Sequence, residues 1–253
     1  MIYDCFTFFN ENELTELRMK TLWDYVDYFV VCEAKQTHTG IPREPIFRQF
    51  NKKVIYVLVE KFPEELDDWG RENYQRNALA KGYEHAGPND LILISDVDEI
   101  PNPSKLKRWS GTNKPIFAFE QKLYFYYVNN MSESLLWRGT VAALKRAFPE
   151  PQYLRDNRWN AFPIVTGGGW HYTSIGGKER IREKFAAFAE QDYNIDKYMG
   201  DENLDECLRT GRDLTSRGVV NRFIDISEHD HKELKKWIIK YPQFYYESTD
   251  NRK

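Results

Sequence analysis

Long apolar runs are missing from this chain. No stretch reaches the roughly 18 apolar residues that a membrane span needs. Residues 1–6 do not combine a basic segment with a long apolar one. A transmembrane segment is therefore not expected, and with no secretory signal in view the sequence reads as cytoplasmic. Cysteine is scarce. Cys5, Cys32 and Cys207 make an odd number, and two of them lie in strand-like runs. That excludes a disulfide framework and favours buried thiols. Neither sign of charge dominates, with 36 basic and 39 acidic residues and a net charge of −3. Such a balance carries no signal for a polyanion, so nucleic acid is not an expected partner. There is no internal repeat and no low-complexity linker. At 253 residues the chain makes one large α/β domain or two small ones.

Aromatic residues, by contrast, are abundant at 15%. They suit sugar rings, although most are expected in the core. Residues 2–9, 28–32 and 54–59 are apolar and strand-like. Residues 12–26 and 71–85 carry apolar positions at helical spacing, and Gly87-Pro88-Asn89 stops the second helix. This alternation predicts a Rossmann-like, mostly parallel sheet with flanking helices. After Pro101 the pattern changes. Strands are expected over 116–119, 123–128 and 136–144, and a glycine-interrupted segment over 161–173. Helices are expected over 179–191 and 201–208. Asp230 and Glu233 have the spacing of a capping box for a last helix.

Residues 90–99 read Asp-Leu-Ile-Leu-Ile-Ser-Asp-Val-Asp-Glu. Four consecutive apolar residues suit a strand buried on both faces, and the chain then turns acidic. Ligands of open α/β sheets sit at the carboxyl ends of strands. Asp96 and Asp98 in that place can hold a hard divalent cation, Mn2+ or Mg2+, whose remaining positions diphosphate oxygens would fill. The same two residues can also simply cap a turn or a helix. Gly167-Gly168-Gly169-Trp170-His171 is the second feature. The glycines allow close ligand approach. His171 could join the metal site, with Gly176, Gly177 and Lys178 on the phosphates, or it could lie on a glycine-rich surface turn. His38, His85, His229 and His231 read as solvated. Arg71 and Arg76 bracket a polar helix face that suits a diphosphate. Glu33, ending the second strand, could accept from a nucleobase or ribose.

Three segments together resemble glycosyltransferase family 17: residues 2–11, Ser-Asp-Val-Asp-Glu-Ile-Pro at 95–101, and Gly-Gly-Trp-His at 168–171. The resemblance runs in order from residue 2 to about residue 215. It implies a GT-A-type fold, a nucleotide-sugar donor, a divalent metal and inversion at the anomeric carbon. It makes Asp96 and Asp98 the Asp-x-Asp pair and His171 a third contact to metal or phosphate. It supports Arg76 and Asn77 in the donor pocket, and Asn10, in the first motif, joins the donor-binding candidates. One catalytic domain is expected over 1–247. It would hold a nucleotide-sugar-binding half at 1–101, an acceptor and metal half at 102–200, a C-terminal helical segment at 201–247 and a tail at 248–253. Animal members carry a membrane anchor and a luminal stem that this sequence lacks, so an acceptor other than the bisected N-glycan is equally expected.

The expected activity is metal-dependent, inverting transfer of a sugar, N-acetylglucosamine first, from a UDP-sugar to a carbohydrate hydroxyl of a glycan acceptor. A carboxylate base is required. Asp156, Glu120 and Asp192 are the candidates, although Asp156 between two arginines also reads as a salt-bridged surface residue. Tyr124, Tyr126, Trp137 and Trp170 could stack on sugars or fill the core. Two other classes remain. One is a haloacid-dehalogenase-type phosphatase, in which Asp96 would be the nucleophile. The other is a non-catalytic carbohydrate-binding protein that keeps the fold.

Overall fold

The computed structural model describes residues 1–106, 115–147 and 150–247. The expected tail at 248–253 lies outside the described residues. The strands are β1 (Ile2–Thr7), β2 (Tyr28–Ala34), β3 (Val54–Val59), β4 (Leu91–Asp96), β5 (Glu99–Pro101), β6 (Ile116–Phe125), β7 (Asn130–Leu144), β8 (Ile164–Thr173) and β9 (Asn221–Phe223). The helices are α1 (Asn12–Leu22), α2 (Asp68–Ala78), α3 (Pro103–Leu106), α4 (Pro151–Asn157), α5 (Lys178–Ala187), α6 (Asp196–Met199), α7 (Asp201–Thr210) and α8 (Leu234–Lys240). They form a mixed α/β structure around one sheet in the order β3-β2-β1-β4-β7-β6-β8-β5, with β9 on β7.

Parallel pairing joins β3, β2, β1 and β4, and also β6 to β8. The rest is antiparallel, so the second half of the sheet is less parallel than the early alternation predicts. The sheet runs through residues of both halves of the chain without interruption. After β3 the chain returns to the far side of β1 as β4. The strand order therefore reverses between β1 and β4, which is where an open sheet splits to admit a ligand.

Period-2 alternation covers both faces of the parallel part. Cys5, Val30, Cys32 and Ile94 pack under α2 and α4 with Leu79 and Tyr83, while Phe6, Phe29, Val31 and Leu93 pack under α1 with Met19 and Leu22. Each such side chain, fully buried, contributes roughly 1.5–3 kcal/mol. All three cysteines are free and buried, as their settings predict.

Several boundaries differ from expectation for local reasons. The helix expected over 71–85 starts earlier, where Asp67 accepts a hydrogen bond from Gly70 N at 2.7 Å. It tightens to a 3-10 turn at Leu79–Tyr83, where a Cβ on Gly82 would stand 2.2 Å from Val30. The polar residues Glu120 to Lys122 do not break a strand; they lie in β6 at a bulge. No capping box forms at Asp230. Its carboxylate instead takes Trp170 Nε1 at 2.6 Å and Lys122 at 2.8 Å. Among the described residues, no helix is long and apolar enough to cross a membrane.

Candidate active site

A cleft of about 390 Å³ opens at the carboxyl ends of β1, β2 and β4. Asp96 ends β4 beside Thr7 of β1, and the next turn carries Asp98 and Glu99 back into the sheet as β5. That turn rests on Arg18 of α1. The Arg18 guanidinium donates to the carbonyls of Asp96, Val97 and Glu99 at 3.1, 3.3 and 2.7 Å. Its other edge is a bidentate pair with Asp4 of β1, at 2.8 and 2.6 Å, with both side chains fully buried. A buried arginine thus fixes three acceptors of the acidic turn from beneath.

The glycine triplet serves strand geometry. A Cβ on Gly169, at φ +137°, would stand 2.1 Å from the Ile100 carbonyl oxygen. The close approach that the glycines allow is therefore that of β5, rather than of a ligand. It sets His171 opposite Glu99, and Tyr172 N donates to Asp98 O at 2.9 Å. His171 Nε2 then stands 3.4 Å from Asp98 Oδ1. Its buried Nδ1 has no hydrogen-bond partner among the described residues.

The two aspartates sit in different surroundings. Asp96 is held on both oxygens, by Arg76 at 3.0 Å and Arg155 at 2.7 Å. Burial alone would raise its carboxyl, but the two guanidiniums outweigh burial and drive it far below the usual range. Asp98 meets the Lys184 ammonium at 3.1 Å. Burial opposes its ionisation too, and Lys184 and His171 overcome that, so Asp98 is also ionised well below neutral pH. Glu99 is fully buried and bonded to Arg155, Trp137 Nε1 and the Asp96 amide.

The fit to a divalent cation is good for two of the three expected ligands. A separation of 3.4 Å between Asp98 and His171 suits two ligands that share one cation at about 2.0–2.2 Å. The Asp96 oxygens are taken by arginine. Among the described residues no group of three His, Cys, Asp or Glu is arranged for a metal. The protein therefore offers two ligands, which suffices for a hard cation that also binds phosphate oxygens.

Several expected residues do not meet in the cleft. Glu33 is fully buried, and its carboxylate is spent on the amides of Ile46 and Phe47, on Tyr56 and on Arg43. Asn77 ties α2 to α4 through the Gln152 amide. Asn10 donates to Glu183. Gly176 packs against Arg180 and Phe244, and the Lys178 ammonium lies between Asp201 and Asp205. The far end of α5 faces the cleft, so Lys184, not Lys178, reaches the acids. Of the expected bases, Asp156 is exposed and accepts from Gln152, Glu120 pairs across from Arg138 in the sheet, and Asp192 is exposed; none lines the cleft. Arg71 bonds to the His38 carbonyl and Asp68 instead of facing a ligand.

Three histidines expected in solvent are enclosed. His38 lines the cleft and shares a hydrogen bond with Gln75 at 2.8 Å. His229 and His231 are buried against Tyr172, and His231 stacks on Trp170 at 3.9 Å between ring centroids. Trp170 and Tyr124 belong to that core, whereas Trp137 and Tyr126 line the cleft.

Lys184, Arg155 and Arg158 enter the cleft without a sequence signal of their own. Arg158 differs from the other cleft cations. Among the described residues its guanidinium has no carboxylate partner; it bonds to the Arg155 carbonyl and lies over Trp137. Burial, and then the charge of Arg155, lower its pKa to about 10, so it stays charged at neutral pH.

A family model described as Glycosyltransferase family 17 matches residues 1–236. Three curated proteins, from Homo sapiens, Rattus norvegicus and Mus musculus, are each named beta-1,4-mannosyl-glycoprotein 4-beta-N-acetylglucosaminyltransferase. Each is 33% identical to the chain over 135 residues. The match covers 46% of this chain and 25% of each relative, so it spans a quarter of the relatives' length.

Proposed function

The chain belongs to glycosyltransferase family 17, and from that premise we propose that it transfers N-acetylglucosamine from UDP-N-acetylglucosamine to a carbohydrate hydroxyl, with inversion, on a GT-A-type fold. The carrying observation is the pairing of Asp98 with His171 at the cleft floor, beside the point where the strand order reverses. Asp98 and His171 are the residues that would hold Mn2+ or Mg2+. When bound, the cation supplies charge neutralisation for the departing diphosphate.

The chain's own residues do the rest. Arg158, with no carboxylate of its own among the described residues, faces the incoming diphosphate and stabilises its negative charge. Arg76 and Arg155 hold Asp96 rigid, so the acidic turn does not reorganise as charge develops. Trp69, half-exposed on the cleft wall, offers an indole face to the uracil ring. The aromatic wall of Phe125, Tyr126, Trp137 and Phe188 takes the acceptor sugar. An acceptor that carries a β-linked mannose is taken from the names of the relatives. Asp96 as a phosphatase nucleophile fits poorly, because both its oxygens are held by guanidiniums.

The test is UDP release from UDP-N-acetylglucosamine with Mn2+ and p-nitrophenyl β-mannoside, followed by NMR of the new anomeric centre. A β-linked product is expected from the α-linked donor. An α-linked product would overturn the single-displacement mechanism, and no turnover with any nucleotide-sugar would favour a non-catalytic binding protein.

A further inference from the structure

Direct displacement by a sugar hydroxyl needs a base inside the cleft. The base must be an ionised carboxylate with free lone pairs, held in a defined place. Seven carboxylates line the cleft, and six are engaged. Asp96 and Asp98 are ion-paired to Arg76, Arg155 and Lys184. Glu99 is buried on Arg155. Glu72 pairs with Arg76 at 2.8 Å. Asp213 caps its own turn through the amides of Thr215 and Arg217. Glu11 is held through Oε2 alone, which accepts the amides of Phe9 and Asn10 at 3.1 and 3.0 Å. Glu190 alone, among the described residues, has neither a hydrogen bond nor an ion pair on its carboxylate.

Glu190 is also well placed. It follows α5, the helix whose Lys184 reaches Asp98. Gln191 donates to the carbonyls of Phe185 and Phe188 at 2.9 and 2.7 Å, and Ala189 is buried, so the backbone on each side is fixed. The loop after β2 is tied to the same helix end, by His38 N on the Ala187 carbonyl and Thr39 Oγ1 on that of Ala186. Phe188 and Tyr193 line the cleft beside Glu190 and give a sugar ring an apolar face.

Resting on the glycosyltransferase reading above, we propose that Glu190 is the general base for the acceptor hydroxyl. The hydroxyl proton passes to the Glu190 carboxylate, and the acceptor oxygen forms its bond to the anomeric carbon. The bond from that carbon to the diphosphate oxygen breaks, and its electron pair leaves with UDP.

The experiment compares wild type with Glu190→Gln and Glu11→Gln. It measures UDP release from UDP-N-acetylglucosamine with p-nitrophenyl β-mannoside and with water, together with UDP affinity and Tm. Glu190→Gln should lower kcat by about 10²–10⁴-fold and leave UDP affinity and Tm unchanged. Turnover within threefold of wild type, loss of UDP binding, or a comparable loss in Glu11→Gln alone would overturn the assignment. A wild-type chain that binds UDP but turns over no donor would defeat the function reading itself, whatever the variants do.

Discussion

His171 Nε2, on β8, and Asp98 Oδ1, in the turn just before β5, stand 3.4 Å apart, because the register sets His171 opposite Glu99, the next residue. Asp98→Asn should therefore remove Mn2+-dependent UDP binding and leave Tm within a few degrees of wild type. If Asp98 and His171 are the two protein ligands proposed above, Mn2+ should bind weakly alone and much more tightly once UDP is present. Calorimetric titration of Mn2+ with and without UDP measures both effects. Equal Mn2+ affinity in the two titrations would show that the nucleotide completes nothing.

Arg158→Gln should raise the donor KM or lower kcat by about 10- to 100-fold. That corresponds to one charge-assisted hydrogen bond to phosphate of roughly 1.5–3 kcal/mol. Its guanidinium joins no carboxylate among the described residues, so stability should hardly change. Steady-state kinetics against donor concentration, alongside a thermal melt, separates this outcome from a folding defect.

The Arg18–Asp4 pair is fully buried. Arg18→Met alone strands the Asp4 carboxylate and three carbonyls, and should cost about 3–5 kcal/mol. Adding Asp4→Leu should restore part of that stability, while activity stays low because the acidic turn has lost its support. Urea denaturation of both variants is the measurement. A double variant no more stable than the single would mean that the carbonyl contacts, rather than the ion pair, carry the energy.

His229 and His231 are buried beside Tyr124, Tyr172 and Trp170. Burial lowers His229 to about 4 and carries His231 well below its ordinary 6.5. The unfolded chain thus takes up protons near pH 6.5 that the folded chain refuses. Stability is full above about 6.5 and falls as the pH drops toward 4. His229 alone contributes on the order of 3 kcal/mol to that fall. Thermal melts from pH 7 to 5 should show the decline, and replacing both histidines with Gln should flatten it while lowering Tm at pH 7.

The acidic strand end is readable from sequence because its signal is local: an apolar run followed at once by carboxylates. The order β1 to β4 and its intervening helices are readable for the same reason. What surrounds Asp96 is not. Arg155 arrives from 59 residues further on, by a short helix that no periodicity announces. Lys184 faces the cleft because of the direction in which α5 lies, and a one-dimensional pattern does not hold that direction. Glycine was ambiguous for a related reason: Gly169 yields to a neighbouring strand, and the sequence cannot say whether a strand or a ligand comes that close. His231 looks solvated among charged neighbours, yet Trp170 lies flat on it from 61 residues away in the chain.

Asp96 is gripped by Arg76 from before the acidic strand and by Arg155 from after it. The cleft is therefore a joint property of distant stretches of chain, which bears on how the protein tolerates being cut or shuffled. Two fragments divided anywhere between β5 and α4 would each carry one guanidinium and only part of the sheet, and neither could present Asp96 correctly alone. Activity regained on mixing them would report reassembly directly. Donor specificity, for the same reason, would not travel with residues 1–101 into a chimera unless the Arg155 helix moved with them.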